Sequence, residues 1–168
     1  MNIDSIVGVW LLIGSVSINS EINFIGEEPD PKGVTDWLND SGEELIDKIQ
    51  ATSGLTLSVS ADRTFTEVKQ GSPSIYWFSD EGVLESEVIP FNGVVKTNEY
   101  GAFLQPEDIP SWATPTNNYG VILRYDDGDT KISDHIYIRE DKLVRTINVV
   151  TDELYLDRIV VVYENYGD

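Results

Sequence analysis

Apolar and polar residues alternate along most of the chain in short runs, and clusters of Asp, Asn, Gly and Ser separate these runs. Alternation with a period of two is typical of β-strands that bury one face. Leu55, Leu57 and Val59 share one face of such a run, and residues 61–63 predict a turn into a second strand, 63–69. The alternation therefore predicts a protein built from antiparallel hairpins.

The same alternation predicts further strands along the chain. They span 74–79, 83–91, 93–97, 100–104, 119–125, 131–139, 143–150 and 154–163. With an apolar first strand at 6–13 and the hairpin, the total is about ten strands, which suits a closed meander.

Tight turns join the last four predicted strands. Asp126-Asp127-Gly128-Asp129 contains residues that tolerate positive φ, and Glu140-Asp141-Lys142 and Thr151-Asp152-Glu153 provide the next two turns. Few Pro or Lys residues lie where they would protect an open sheet edge, which favours a barrel over a sandwich. We expect an all-β fold, a closed or nearly closed antiparallel up-and-down β-barrel of about 8–10 strands.

A short helical insertion is predicted between the first two strands. The motif Ser41-Gly42-Glu43-Glu44 has the spacing of a capping box, and the apolar stripe that follows it predicts a helix of about three turns. The apolar positions in 34–38 predict a shorter helix just before it. The helical insertion covers 34–52, and a Pro-rich loop at 105–118 forms a second insertion.

Composition limits the function classes. With 168 residues, 40% of them apolar, the chain suits one domain over 1–168. Its 30 acidic and 11 basic residues give a formal net charge of −19. Such a surface repels the phosphates of nucleic acids and anionic membranes. Direct binding to nucleic acid or membrane is therefore not expected.

Cysteine is absent, which excludes disulfides, thiolate metal sites and cysteine nucleophiles. The first residues carry no basic segment typical of a secretion signal, and no window reaches the roughly 18 apolar residues of a membrane span. We expect a cytoplasmic protein. The single histidine cannot build a typical zinc or haem site, so no metal or cofactor is expected.

Two distant segments resemble the first and last strands of lipocalins and fatty-acid-binding proteins, the calycin superfamily. They are Gly8-Val9-Trp10 and a late strand, 154–163, in which Arg158 lies among branched apolar residues. The resemblance implies a cup-shaped cavity, with Arg158 packed over the Trp10 ring to close its bottom. Cation-π attraction of roughly 0.5–2 kcal/mol favours such a pair. The helical insertion is similar in position to the lid of fatty-acid-binding proteins.

The resemblance also implies where a ligand binds. In fatty-acid-binding proteins, inward Arg and Tyr side chains on the late strands hold the ligand carboxylate, which suggests Arg145, Arg124 and either Tyr155 or Tyr163 here. Strand alternation supports Arg145 most, because it shares a face with apolar residues of 143–150. The alternative is that each Arg pairs with an acidic residue on the outer surface.

Aromatic residues cluster where a barrel mouth and its walls are expected. Those we select as ligand contacts are Trp37, Tyr76, Trp77 and Trp112. His135 shares a face with Tyr137 and Arg139, so a polar outer face is favoured over catalysis by this histidine. The Asp126-Asp127-Gly128-Asp129 segment lacks the spacing of a calcium loop and is interpreted as an ordinary turn.

Three functional hypotheses follow. The first is binding of a small hydrophobic or amphipathic organic ligand in the barrel cavity. The second is an enzyme on the same barrel, an isomerase or cyclase acting on a small natural-product-type molecule, because a fold alone does not separate carrying from converting a ligand. The third is an acidic interaction protein, of the immunity or inhibitor kind, that binds a basic protein partner.

Overall fold

A computed structural model describes residues 3–70, 74–79, 82–87, 92–98, 101–107 and 123–166. The strands are β1 (Gly8–Glu21), β2 (Phe24–Ile25), β3 (Glu28–Pro29), β4 (Gln50–Ala51), β5 (Leu55–Val59), β6 (Thr64–Lys69), β7 (Ser74–Ser79), β8 (Gly82–Glu87), β9 (Asn92–Asn98), β10 (Gly101–Pro106), β11 (Leu123–Asp126), β12 (Thr130–Arg139), β13 (Lys142–Thr151) and β14 (Tyr155–Asn165). One α-helix, α1 (Pro31–Asn39), and two 3-10 helices, Ile3–Ile6 and Glu43–Lys48, complete the elements.

Eight of these strands close into an antiparallel barrel, which confirms the predicted fold class. Around the barrel the order is β1, β5, β6, β9, β10, β12, β13 and β14, and β14 pairs again with β1. The order follows the chain, so the barrel is of the up-and-down type. Closure joins the two most distant strands, with Leu12 opposite Tyr163 and Glu21 opposite Tyr155.

The long strands β1, β14, β13 and β12 form one wall that extends past the closed part of the barrel. Along this extension β7 pairs with β1 in parallel at Ser17 and Trp77, and β11 pairs with β12. The predicted turns at 140–142 and 151–153 connect the long strands. We call the end of the wall at which Tyr155 pairs with Glu21 the upper end and the opposite end the lower end.

Apolar side chains fill the lower half of the barrel. The buried cluster draws residues from every barrel strand, including Leu12, Leu57, Phe65, Val95, Leu104, Ile136, Leu143 and Tyr163. The 3-10 helix Ile3–Ile6 covers the lower end, because Ile6 is fully buried in this cluster. The Trp10 indole Nε1 donates to the Ile6 carbonyl at 2.9 Å and fixes that helix to β1.

The helical insertion packs on the outside of the wall, not over the barrel opening as the resemblance to a lid implies. Val34 and Leu38 of α1 join a buried cluster with Val150 and Leu156 on the outer face. Leu45 of the second 3-10 helix lies in a neighbouring cluster on the same face. Within the described ranges, no helix is long and apolar enough to cross a membrane.

The helix boundaries differ from the predicted ones. Asp30 caps α1, because its side chain accepts from the Lys32 amide at 3.0 Å, and Pro31 occupies the first turn. The predicted capping box is wrong, since Gly42 begins the second segment with φ of +73° and no side chain caps it. A left-handed start prevents the Ser41 side chain from taking the N-cap position. A single helix of three turns is thus replaced by a 3-10 helix.

Candidate functional site

Arg145 lies inside the barrel, on the face that alternation predicts. Its guanidinium donates to both oxygens of Asp134, with the Nη2 to Oδ2 bond at 2.8 Å, and its Nη1 donates to Glu67 Oε1 at 3.3 Å. The three side chains are all almost completely buried. This ion cluster joins β6 to β12 and β13 across the barrel interior.

The two carboxylates determine what Arg145 can do. Burial disfavours the charged guanidinium, but the charges of Asp134 and Glu67 more than offset this and raise the pKa of Arg145 above its usual value. The cluster thus holds one positive and two negative charges. A ligand carboxylate at this point would meet a net negative environment, unlike the carboxylate-binding role that the resemblance implies.

Tyr163 lies beside the ion cluster. Its hydroxyl is buried and has no hydrogen-bond partner among the described residues. Burial and the charge of Glu67 raise the pKa of Tyr163, so the phenol remains neutral. Tyr163 belongs to the buried cluster of the lower half and pairs with Leu143, one pair below Arg145 on the same face.

The inner surface of the upper half is apolar and partly open. Strand register places Ile147 and Val149 on the same face as Arg145, and Ile132 and Ile159 face them from the neighbouring strands. Each of these four side chains is only partly buried, whereas most inward residues of the lower half are buried. The upper wall therefore presents apolar surface that the described part of the protein does not cover completely.

Polar groups of β1 and β14 border this apolar surface. Asn19 pairs with Asp157 across the two strands, and Ser17 pairs with Ile159 one step lower on the same inner face. The Ser17 side chain is completely buried, yet its hydroxyl has no hydrogen-bond partner among the residues described. Burial raises the pKa of Asp157, which is half-buried. We call the apolar surface and these polar groups the upper inner surface.

A groove of about 450 Å³ opens at the upper end of the wall. Its lining consists of Asn19, Ser20, Glu21, Tyr155, Leu156 and Asp157. A larger groove of about 770 Å³ lies where residues 51–56 leave β1. Its only ionisable lining residue is Glu164. The smaller groove is the better candidate, because it adjoins both the inward carboxylate of Asp157 and the apolar wall.

The structure does not bring Trp10 and Arg158 together. Trp10 pairs with Asn165 at the lower end, whereas Arg158 pairs with Ile18 many residues further up and faces the opposite side of the wall. The Arg158 guanidinium instead lies 3.8 Å from the centre of the Trp37 ring. The barrel bottom is covered by Ile3–Ile6, and the cation-π pair attaches the insertion to the wall.

Trp37 lies on the outer face and does not contact the inner surface. Its Nε1 donates to the Asp157 carbonyl at 2.9 Å, and its own carbonyl accepts from Arg158 Nη2 at 2.9 Å. Arg158 also donates to Asn148 Oδ1 at 2.6 Å. Burial lowers the pKa of Arg158, an effect that nearby Asp40 and Glu44 partly offset. Trp37 thus packs against the outer face of β14, whereas the side chain of Asp157 lies on the inner face of the same strand.

Polar side chains of the wall hold the end of α1, and sequence reasoning missed them. Ser133 and His135 both hydrogen-bond to the Leu38 carbonyl, at 2.6 and 3.0 Å, with the His135 Nε2–H as donor. Asn148 donates to the Asp40 carbonyl at 2.9 Å and to Leu38 at 3.3 Å. These bonds satisfy carbonyls that a helix terminus leaves without partners. The polar face of His135 is indeed outward, but the insertion covers it.

The structure describes only some of the remaining predicted ligand-binding residues. Tyr155 lies at the upper end on the inner face and is 50% exposed. Tyr76 and Trp77 belong to β7, whose backbone runs beside β1, and Arg124 belongs to β11. Trp112 and most of the 105–118 loop lie outside the described residues.

The acidic turn at 126–129 uses its carboxylates internally. Asp126 accepts from the Gly128 amide at 2.9 Å, and Asp127 accepts from the amides of Asp129 and Thr130 at 3.0 and 2.6 Å. These bonds lower the pKa of Asp127. Among the described residues, no group of three or more metal-ligating side chains is arranged to hold an ion.

Comparison with known proteins adds no family assignment. No protein-family model matches the chain, and no curated protein is similar enough to count as a relative. The closed eight-stranded barrel is compatible with a calycin-like fold. A barrel of this kind does not by itself define a function.

Proposed function

We propose that the protein binds a small hydrophobic or amphipathic organic molecule on the upper inner surface of the barrel. The observation that carries this proposal is the partial exposure of inward apolar residues above the buried apolar cluster of the lower half. Ile147, Val149 and Ile159 provide the apolar contacts. Partly exposed apolar residues on a concave wall are typical of ligand sites.

The expected affinity follows from the apolar area. Burying about eight methylene groups at roughly 0.8 kcal/mol each contributes about 6 kcal/mol. This corresponds to a dissociation constant of tens of micromolar. Losses of ligand and side-chain freedom weaken binding, and hydrogen bonds from the polar border strengthen it. Binding in the micromolar range is therefore expected for a ligand of about ten carbons.

A neutral fluorescent probe tests the proposal. N-phenyl-1-naphthylamine is uncharged at pH 7, so the acidic surface does not repel it. We expect saturable enhancement of its fluorescence in the native protein and at least tenfold weaker binding in the Ile147→Asn variant. Val68→Asn is the matched control, since Val68 is 49% exposed on β6 outside the site. Absence of saturable binding, or equal binding by both variants, contradicts the proposal.

Acidic turns at the upper end favour one alternative, the binding of a basic protein partner. The Asp152 amide donates to the Asp129 carbonyl at 2.7 Å and joins the turns at 126–129 and 151–154. Their exposed carboxylates form a common acidic rim. This alternative predicts salt-sensitive association with a basic protein and a loss of association when Asp129, Asp152 and Glu153 are neutralised. Conversion of the ligand by an enzyme mechanism stays a prediction from the sequence.

A further inference from the structure

The charge of the upper inner surface is opposite to the charge that a fatty-acid ligand requires. Arg145 is the inward cation among the described side chains of β1, β12, β13 and β14, and Asp134 and Glu67 already surround it. Above this cluster the described inward carboxylates are those of Asp157 and, at the upper end, Glu21. The site thus favours a positively charged ligand group over a carboxylate.

The Asp157 carboxylate has no partner among the residues that the structure describes. No described residue forms a hydrogen bond or an ion pair with its carboxylate, although its backbone carbonyl accepts from Trp37. A half-buried carboxylate loses hydration, and the described part of the fold provides no compensating bond. Groups of this kind are concentrated at binding sites, where a ligand completes their contacts.

A second unsatisfied group lies one step away on the same face. The completely buried Ser17 hydroxyl, which lacks a described partner, is diagonal to Asp157 across β1 and β14. Diagonal neighbours on one face lie about 7–8 Å apart at their Cα atoms. An ammonium group carries three donors, which allows it to bond a carboxylate and a hydroxyl together. Two acceptors without described donors are therefore placed close enough for one cationic group.

Apolar residues continue from this pair into the barrel. Ile159 lies opposite Ser17, and Ile147 and Val149 follow on the neighbouring strand. The opening beside Asp157 is lined by Glu21, and the acidic turns at 129 and 152 lie at the same end of the wall. An acidic opening attracts cations and raises their rate of encounter.

We infer that the ligand of this site carries a protonated amine, held by Asp157 with Ser17 as a second acceptor, on an apolar body that packs against Ile147, Val149 and Ile159. This inference rests on the proposed function and names its ligand class. A ligand bound in this way has the opposite orientation to a fatty acid in a fatty-acid-binding protein. Its charged group lies at the rim, and its apolar part points toward the ion cluster. No covalent step is involved.

Three ligands of equal chain length test the inference by titration calorimetry at pH 7. Decylamine is cationic, decanol is neutral and decanoate is anionic, so their apolar contributions match. We expect decylamine to bind at least tenfold more tightly than decanol, and decanoate to bind most weakly. In Asp157→Asn the preference for the amine over the alcohol disappears while decanol binding is unchanged. Asp152→Asn, which removes an exposed acid at the same end, retains the preference.

The outcomes separate the inference from the function on which it rests. Binding of decanol without a preference for decylamine in the native protein overturns the amine inference and leaves the apolar site in place. A preference that persists in Asp157→Asn, or that disappears equally in Asp152→Asn, also overturns it. If none of the three ligands binds, the proposed function itself fails. The comparison in the native protein is decisive even if the Asp157 variant does not fold.

Discussion

Replacing Arg145 by Met tests the ion cluster most directly. The substitution retains an apolar stem of similar length but leaves Asp134 and Glu67 buried without their cation. Removing one partner of a buried pair costs about 3–5 kcal/mol, since the remaining charge is uncompensated. Two carboxylates depend on this guanidinium, so the upper part of that range is expected. The loss is large beside a domain stability of about 5–15 kcal/mol.

Urea denaturation followed by tryptophan fluorescence measures the effect. With a denaturant slope of about 2 kcal/mol/M, a loss of 4 kcal/mol lowers the midpoint by about 2 M. Arg139→Met is the control, because Arg139 lies near the end of β12 and is partly exposed. It removes the same charge from a neighbouring strand, and we expect its midpoint to move by less than about 0.5 M.

A triple variant distinguishes charge from packing. Combining Arg145→Met with Glu67→Met and Asp134→Leu removes the whole cluster and leaves no buried charge at its position. Apolar replacement of a buried ion cluster is often neutral or stabilising by about 1–4 kcal/mol. We therefore expect the triple variant to regain most of the stability that Arg145→Met loses. The reasoning is refuted if the single variant shifts the midpoint by less than about 0.5 M, or if the triple variant is no more stable than the single one.

Three further predictions concern the backbone, the insertion and pH. A Cβ at Gly93 would clash with the Gln105 carbonyl oxygen, so Gly93→Ala is expected to cost about 2 kcal/mol or more, the effect of severe overpacking, and to lower the melting temperature; an unchanged melting temperature would contradict this contact. Asn148→Ala removes donors from the Leu38 and Asp40 carbonyls, at a cost of about 1–3 kcal/mol. Backbone amide hydrogen exchange should then accelerate in 31–39 and not in β5. An equal acceleration in both regions would argue against this role of Asn148. Because burial raises the pKa of Asp157 in the folded state, its ionisation destabilises the fold increasingly as the pH rises from the unfolded to the folded pKa, and fully above the folded pKa. Asp157→Asn should therefore raise the melting temperature at pH 7, and the gain should fade as the pH falls toward about 4, the value of an unfolded Asp; a gain that is independent of pH would show that the charge is not its cause.

Local patterns predicted most of the barrel strands and their turns because their causes are local, although β1 runs over Gly8–Glu21 and not over the predicted 6–13. Alternation positions Leu55, Leu57 and Val59 on one face, and all three are buried in the barrel. The same rule correctly directed Arg145 inward. Its partners were not predictable, because Glu67 lies 78 residues away along the chain and no local pattern links the two.

The outer layer could not be assigned from alternation alone. Arg158 shares a face with Val160 and Val162, as expected, but both faces of β14 are apolar and the outer one is covered by the insertion. Consecutive buried residues at 160–163 carry the signal that both faces are covered. The capping motif at Ser41 failed for a different reason, because the left-handed Gly42 begins the segment after it.

The pairing of β1 with β14 affects how the chain reaches its folded state. The paired residues are about 135 to 155 positions apart, so the barrel cannot close until the last strand has left the ribosome. Until then β1 and β13 each expose an unpaired edge, which other chains can recognise. Contacts between such distant segments also slow folding, because a large loop must close before they form. Newly synthesised copies of this protein should therefore depend on chaperones more than a local helical bundle of equal size does.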